Sequence, residues 1–260
     1  MSKPLTLAAF TATKNALSRG CCLLECAVAV IHDVDSWVWL DGFSTDGTWE
    51  LIQKMAAANP KIRAGQAAWQ PSSPDGEAIG AAHQMAANRC RGNVAWEIQS
   101  DEVYGPGAAG ALREAFADPA VNSACVVFKT LWRWDRLMLE KGWTAWRVRA
   151  ARTGRGCRVP HDASNMGIVP RVTKVAGAVC WNTGFAFTGH ADTKTKQNAD
   201  LHASPHVIYP WETHPKNFHK RDPETAAVRQ HELPELIQPL YGASRYEPDL
   251  SRLDALKART

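Results

Sequence analysis

The chain has 260 residues, with thirty Lys and Arg against twenty-six Asp and Glu, a formal net charge of +4 and an apolar fraction of 45%. That balance excludes disorder over most of the chain, and the length suits one large domain or two small ones. No run reaches the roughly 18 uninterrupted apolar residues of a membrane span; the best, residues 21–31, carries Glu25. Residues 1–4 lack the apolar stretch and small-residue cleavage site of a secretory leader. Seven cysteines with no CxxC pair read as packing thiols of a reduced, cytoplasmic protein rather than disulfides or a zinc site.

The first hundred residues alternate. Residues 5–11 form a strand-like apolar run, and Leu23, Cys26, Ala27 and Val30 give residues 17–31 helical spacing. Residues 37–40 make a short buried strand ending at Asp41-Gly42. A helix is expected over 48–58, with Ser44, Thr45 and Asp46 as start signals and Asn59-Pro60 as its stop. A third strand over 62–69, a loop over 71–76, an alanine-rich helix over 77–90 and a strand over 94–99 follow. This order predicts a mainly parallel sheet with helices on both faces, which binds ligands beyond the carboxyl ends of its strands. The second half is less regular. It holds a helix over 107–117, a strand over 124–129, and strand-like pieces over 143–149, 174–179 and 203–209. After Arg221, Pro223, Pro234, Pro239 and Pro248 punctuate short helical stretches.

The strongest local signal is Val38-Trp39-Leu40-Asp41-Gly42-Phe43-Ser44-Thr45-Asp46-Gly47-Thr48 leading into a helix. It puts carboxylates and backbone N–H groups at the sheet's carboxyl edge, where Asp41 can accept from a ribose or base and the helix start favours phosphate. Taken alone, the same run also fits a plain strand-turn-helix with Asp46 as N-cap.

The run resembles the VDDGSTDGT signature of family 2 glycosyltransferases with the GT-A fold. Ala9 to Asn15 stands where that family has its first strand end. His83 and Gln84 stand nine and eight residues before Gly92, in the place of an ARN stretch. Seven residues after Gly92, Gln99-Ser100-Asp101 occupies the place of the DAD metal motif. Four landmarks in order across residues 5–102, with a weaker likeness to about 220, carry the resemblance.

The resemblance implies a GT-A-like α/β fold, with residues 1–105 holding the nucleotide-sugar, 106–222 the acceptor, and 223–260 forming a helical appendage. It implies that Asp41 contacts the nucleoside, with Thr11, Lys14, Asn15, Ser44, Asp46, His83, Gln84 and Ser100 along the same edge. Gln99 replaces the motif's first Asp, which leaves Asp101 as the carboxylate for Mn2+ or Mg2+ and Glu102 as its support. A metal that keeps waters and diphosphate oxygens needs only one or two protein carboxylates. The family commonly adds a late His, for which His161, His206 and His214 are candidates. The acceptor base is sought in Asp135 and Asp162, after the metal motif.

Charge is concentrated. Residues 129–158 hold nine basic residues against Asp135 and Glu140, a net +7 in a chain of +4, so the remainder sums to −3. Trp132, Trp134, Trp143 and Trp146 are interleaved there, four of the eleven tryptophans. Cations with large π-faces suit a phosphate-rich acceptor, with Trp132, Arg133, Trp134, Arg147 and Arg149 as its contacts; a solvated basic face over core tryptophans is the plainer alternative.

Three functions remain open. The first is an inverting, metal-dependent hexosyltransferase taking a nucleotide-diphosphate sugar as donor. Its acceptor would be a hydroxymethylated base in DNA, flipped from the duplex, or a phosphorylated glycolipid, lipopolysaccharide or surface polysaccharide. The second is a non-enzymatic nucleic-acid-binding protein. The third is a nucleotidyltransferase, against which the absence of a Gly-rich, Lys-containing triphosphate loop counts.

Overall fold

The computed structural model describes residues 4–69, 77–139, 145–155, 157–161, 163, 165–167, 171–190 and 225–257. The loop at 71–76 and the strand-like piece at 203–209 lie outside them. In the first hundred residues the apolar runs become β1 (Leu7–Thr13), α1 (Leu23–Val30), β2 (Ser36–Asp41), α2 (Thr48–Ala58), β3 (Ile62–Gln66), α3 (Glu77–Ala87) and β4 (Val94–Glu97). These four strands are parallel, in the order β3-β2-β1-β4. Helix α1 starts later than its spacing suggests. Gly20, inside the expected range, is left-handed at φ 69°, a conformation a helix does not carry.

Alternation in each strand feeds two cores. Leu7, Ala9, Trp37, Trp39, Val94 and Trp96 face α1 and α2, whereas Phe10, Val38, Leu40 and Ala95 face α3. Both faces are therefore covered, which is why the strands read as continuous apolar runs. Trp37 and Trp39, two apart on β2, stack with ring centroids at 5.1 Å.

The second half extends the sheet through β5 (Glu102–Tyr104), α4 (Ala108–Ala117), β6 (Ser123–Trp132), β7 (Arg136–Met138), β8 (Ala145–Arg152) and β9 (Val172–Phe185). β8 runs antiparallel beside β4, β6 antiparallel beside β8, and β9 parallel to β6. Two reversals restore the original direction, so the carboxyl ends of β1–β4, β6 and β9 open on one edge. The β6–β8 register is broken once. Ala124 pairs with Ala150 and Cys125 with Val148, which leaves Arg149 as the extra residue of a bulge. Bulges re-aim side chains.

The C-terminal stretch differs from the helical appendage expected. β10 (Thr225–Ala227) pairs with β7, and 3-10 turns follow at Gln230–Glu232, Gln238–Leu240 and Leu250–Leu256. Pro234, Pro239 and Pro248 lack the N–H that a longer α-helix needs. Leu233, Ile237 and Tyr246 pack with Cys22, Cys26, Trp134 and Phe187, and Leu256 enters the core beneath α1 and α2. All seven thiols are free. Among the described residues no helix is long and apolar enough to cross a membrane.

Candidate functional site at the carboxyl edge

Asp41 ends β2 with no exposure. Its carboxylate accepts from the Ser44 backbone N–H at 2.9 Å, from the Ser44 hydroxyl, and from Gln66 Nε2 at 3.0 Å. Asn15 locks the β1 loop to the same turn. Its N–H donates to Ser44 Oγ at 2.7 Å, while its Oδ1 accepts from the Thr45 N–H at 2.8 Å. Asp46 accepts from the Ser18 N–H at 2.7 Å and the Thr48 N–H at 3.1 Å. The residue that caps α2 by position is Gly47, left-handed at φ 90°, so Asp46 serves the turn one residue earlier. Lys14 is half-buried beside Gly42.

Two aromatic residues complete this corner, and motif spacing did not point to them. A Cβ at Gly42 would lie 2.6 Å from Trp69 Nε1, so only glycine lets that indole pack on the turn. Phe43 stands in the turn itself, left-handed at φ 58° and 55% exposed. The tryptophan excess was the only sequence signal for Trp69.

Three expected donor contacts are structural. Thr11 is fully buried; its hydroxyl donates to Ile98 O and accepts from Trp37 Nε1 at 3.0 Å. Its donor and one acceptor site tie β1 to its neighbours. His83 is buried on α3 with Nδ1 3.0 Å from Glu97 Oε1. Gln84 accepts from the Val159 N–H at 2.8 Å and donates to Asn88 Oδ1 at 2.8 Å, which fastens α3 to the segment before His161.

Beyond β4, Ser100 Oγ accepts from Thr13 Oγ1 at 3.4 Å, joining the ends of β1 and β4. Asp101 is 9% exposed, and its carbonyl accepts from Thr183 N at 2.8 Å. Glu102 does not support a metal at Asp101. It is fully buried and holds Arg149, which donates through Nε at 3.0 and 3.2 Å and through Nη2 at 2.5 Å. Arg149 also reaches Glu97 Oε2 at 3.4 Å. Burial works against the guanidinium charge, but Glu102 and Glu97 more than offset it and hold its pKa above the ordinary value. Burial pushes the neighbouring Cys22 and Cys26 thiols well up, so they are not thiolates at neutral pH.

Among the described residues no cluster of three or more His, Cys, Asp or Glu forms that could hold a metal. His161, left-handed at φ 49° and exposed, packs through its carbonyl on Gly80 N at 2.8 Å. His206 and His214, with Asp162, lie outside the described residues. A histidine the motifs did not point to, His190, has Nδ1 2.9 Å from Ser18 O and accepts from the Tyr246 N–H at 3.2 Å. It links the loop after β1 to the C-terminal stretch.

The residues expected on the acceptor side divide. Arg149 and Trp134 are 2% and 3% exposed and are removed from any surface contact; Trp134 donates to Ala243 O at 3.1 Å. Trp132 is half-buried against Phe185, Arg133 is exposed, and Arg147 lies over Phe128 with its guanidinium 5.6 Å from the ring centre. Lys129 sits 4.5 Å over Trp181 and Lys174 5.4 Å over Trp146. Asp135 follows the carboxyl end of β6, with its side chain 56% exposed and 3.8 Å from Arg136 Nε.

No protein-family model matches the chain, and no curated protein matches it. Among solved structures it is similar to S. aureus TarS, at 12% identity and TM-score 0.46 over 75% of this chain. It spans 40% of that TarS chain. Residues 1–349 of TarS in complex with UDP-GlcNAc give 12% identity, TM-score 0.47, and coverage of 75% of this chain and 67% of that one. Mannosyltransferase PcManGT from Pyrobaculum calidifontis, in complex with GDP-Man and Mn2+, gives 13% identity and TM-score 0.49 over 98% of this chain and 70% of that one. The likeness is one of fold.

Proposed function

We propose that the protein is a glycosyltransferase of the hexosyl class, moving a sugar from a nucleotide-diphosphate donor to an acceptor hydroxyl. One observation carries this reading. Acidic strand ends flank β1 on the shared carboxyl edge, Asp41 at the end of β2 on one side and Ser100-Asp101 after β4 on the other. A nucleoside at Asp41 and a diphosphate over the β1 end then run toward Asp101. Asp101 suits Mn2+ or Mg2+, which would neutralise the leaving diphosphate while keeping its own waters. Asp135 or Asp162 would take the acceptor proton, with inversion at the sugar C1.

A phosphate-rich acceptor is favoured by the cations held on tryptophan faces, Lys129 on Trp181 and Lys174 on Trp146, with Arg147 nearby on β8. A hydroxymethylated DNA base fits this surface, and a phosphorylated glycolipid is the alternative. Truncating Lys174 and Arg147 together should weaken duplex binding uniformly across sequences and lower its salt slope by about 2. Salt-independent binding would favour the glycolipid. Binding of DNA without any nucleotide site would leave a nucleic-acid-binding protein.

The donor is tested by thermal shift with UDP, GDP, dTDP, UDP-GlcNAc and GDP-Man, each with Mn2+ or Mg2+. A ligand at about 100 times its Kd should stabilise by about 2.7 kcal/mol. Silence across the panel sinks the glycosyltransferase reading. Asp101→Ala should abolish turnover and leave the unfolding curve in place; full retained turnover would remove Asp101 from the metal.

A further inference from the structure

Gln99 stands where the metal motif has a carboxylate, yet its side chain is engaged elsewhere. Its Nε2 donates to the Ala163 carbonyl at 2.7 Å and lies 3.4 Å from Glu97 Oε1. Arg149 Nη1 donates to the same carbonyl at 3.1 Å. Ala163 is fully buried and left-handed at φ 59°, a conformation that a non-glycine residue keeps only when its surroundings hold it. The Gln99 backbone N–H meets Glu102 Oε2 at 3.3 Å, and Glu102 is bound to Arg149 through both oxygens. The turn that presents Asp101 and the segment around Ala163 are thus joined through one buried cluster.

We propose that Gln99 is a positioning residue, which with Arg149 grips the Ala163 carbonyl and fixes that segment against the turn carrying Asp101. The chemistry requires an amide there. A carboxylate is acceptor-only and would face two acceptors, Ala163 O and Glu97 Oε1, with nothing to donate. Gln99→Asp, which restores the motif's missing carboxylate, should therefore impair the protein. Asp162 precedes Ala163 in the chain, so the grip falls one peptide from a candidate base. The inference rests on the glycosyltransferase reading for its catalytic consequence but not for the grip itself.

The test compares wild type with Gln99→Met, which keeps the shape without the donors, and with Gln99→Asp. Hydrogen exchange over residues 157–167 reads the grip directly. There the Met166 N–H donates to Val148 O and the Ala163 N–H to Pro160 O. Exchange should quicken about 10-fold in both variants, with α2 and β2 unchanged. Calorimetry with UDP or GDP and Mn2+ reads the alternative, that Gln99 marks a lost metal ligand. Binding should be no tighter in Gln99→Asp, and turnover should fall in both variants with donor KM unchanged. Unchanged exchange in Gln99→Met overturns the proposal. So does tighter Mn2+–nucleotide binding or faster turnover in Gln99→Asp. If wild type binds neither nucleotide, the glycosyltransferase reading fails, and the exchange result alone decides the grip.

Discussion

The turn after β2 and the cluster around Arg149 both hold carboxylates, but they are assembled on different scales. Asp41 takes two of its hydrogen bonds from Ser44, three residues on, while Asn15, Ser18 and Gln66 reach the turn from elsewhere. Arg149 finds Glu102 and Glu97 about fifty residues away, and Ala163 on another segment. In the first, Asp41 is itself buried, but its partners Ser44 and Gln66 reach solvent at the rim, where water can replace one that is lost. The second is sealed, and each member depends on the others for its charge or its hydrogen bonds. Largely local construction at the rim and long-range construction below it divide the proposed donor contacts from the framework beneath them.

Removing the central cation should break this contrast most visibly. Arg149→Met leaves Glu102 and Glu97 buried without their guanidinium, a loss of about 3–5 kcal/mol for a broken buried pair. Urea denaturation measures it. A loss under 1 kcal/mol would mean that water reaches the cluster and that the two regions are alike. Truncation at the rim should cost less. Asp41→Ala unpairs the Ser44 and Gln66 donors for about 1–3 kcal/mol, while nucleotide-induced stabilisation disappears. Equal destabilisation by both variants would erase the distinction.

The same difference of scale set what could be read beforehand. Helix α2 has the expected bounds because Thr48 follows a local start signal and Asn59-Pro60 a local stop. The parallel strands were legible because burial on both faces leaves unbroken apolar runs. Asp41, Ser44 and Asp46 lie together because one short turn carries them, and Asn15 reaches that turn from the end of β1. Arg149 was placed with the acceptor because it lies in a basic run. Its true position depends on one skipped residue in the β6–β8 register, which no charge count reveals. The family resemblance puts Thr11 and His83 on the donor edge by their spacing. Spacing gives the strand or helix position but not which face the side chain takes, and both turn inward. Arg147, two residues before Arg149, is only half-buried, although both guanidiniums lie over Phe128.

Glu25 offers the smallest and finest test, because it is a buried carboxylate with a partner that reaches solvent. It lies on α1, accepts from Tyr246 Oη at 2.7 Å and pairs with Arg252 Nη1 at 3.2 Å, whose side chain is 18% exposed. Burial is the largest influence and raises its pKa above the ordinary 4.5, against the pull of Tyr246 and Arg252, with Asp249 adding to the rise. The sign follows from proton counting. Between the ordinary value and the raised one, the folded state keeps a proton that the unfolded state has lost. Stability contributed by protonated Glu25 is therefore complete below about pH 4.5 and is lost as pH rises through the folded pKa. Glu25→Gln keeps an acceptor for Tyr246 and cannot ionise, so its stability should fall less than wild type across that window. Denaturation midpoints collected from pH 4 to pH 7 would show the two curves separating as pH rises. Parallel curves would mean that Arg252 compensates the charge fully, and that Glu25 belongs with the rim carboxylates rather than with the sealed ones.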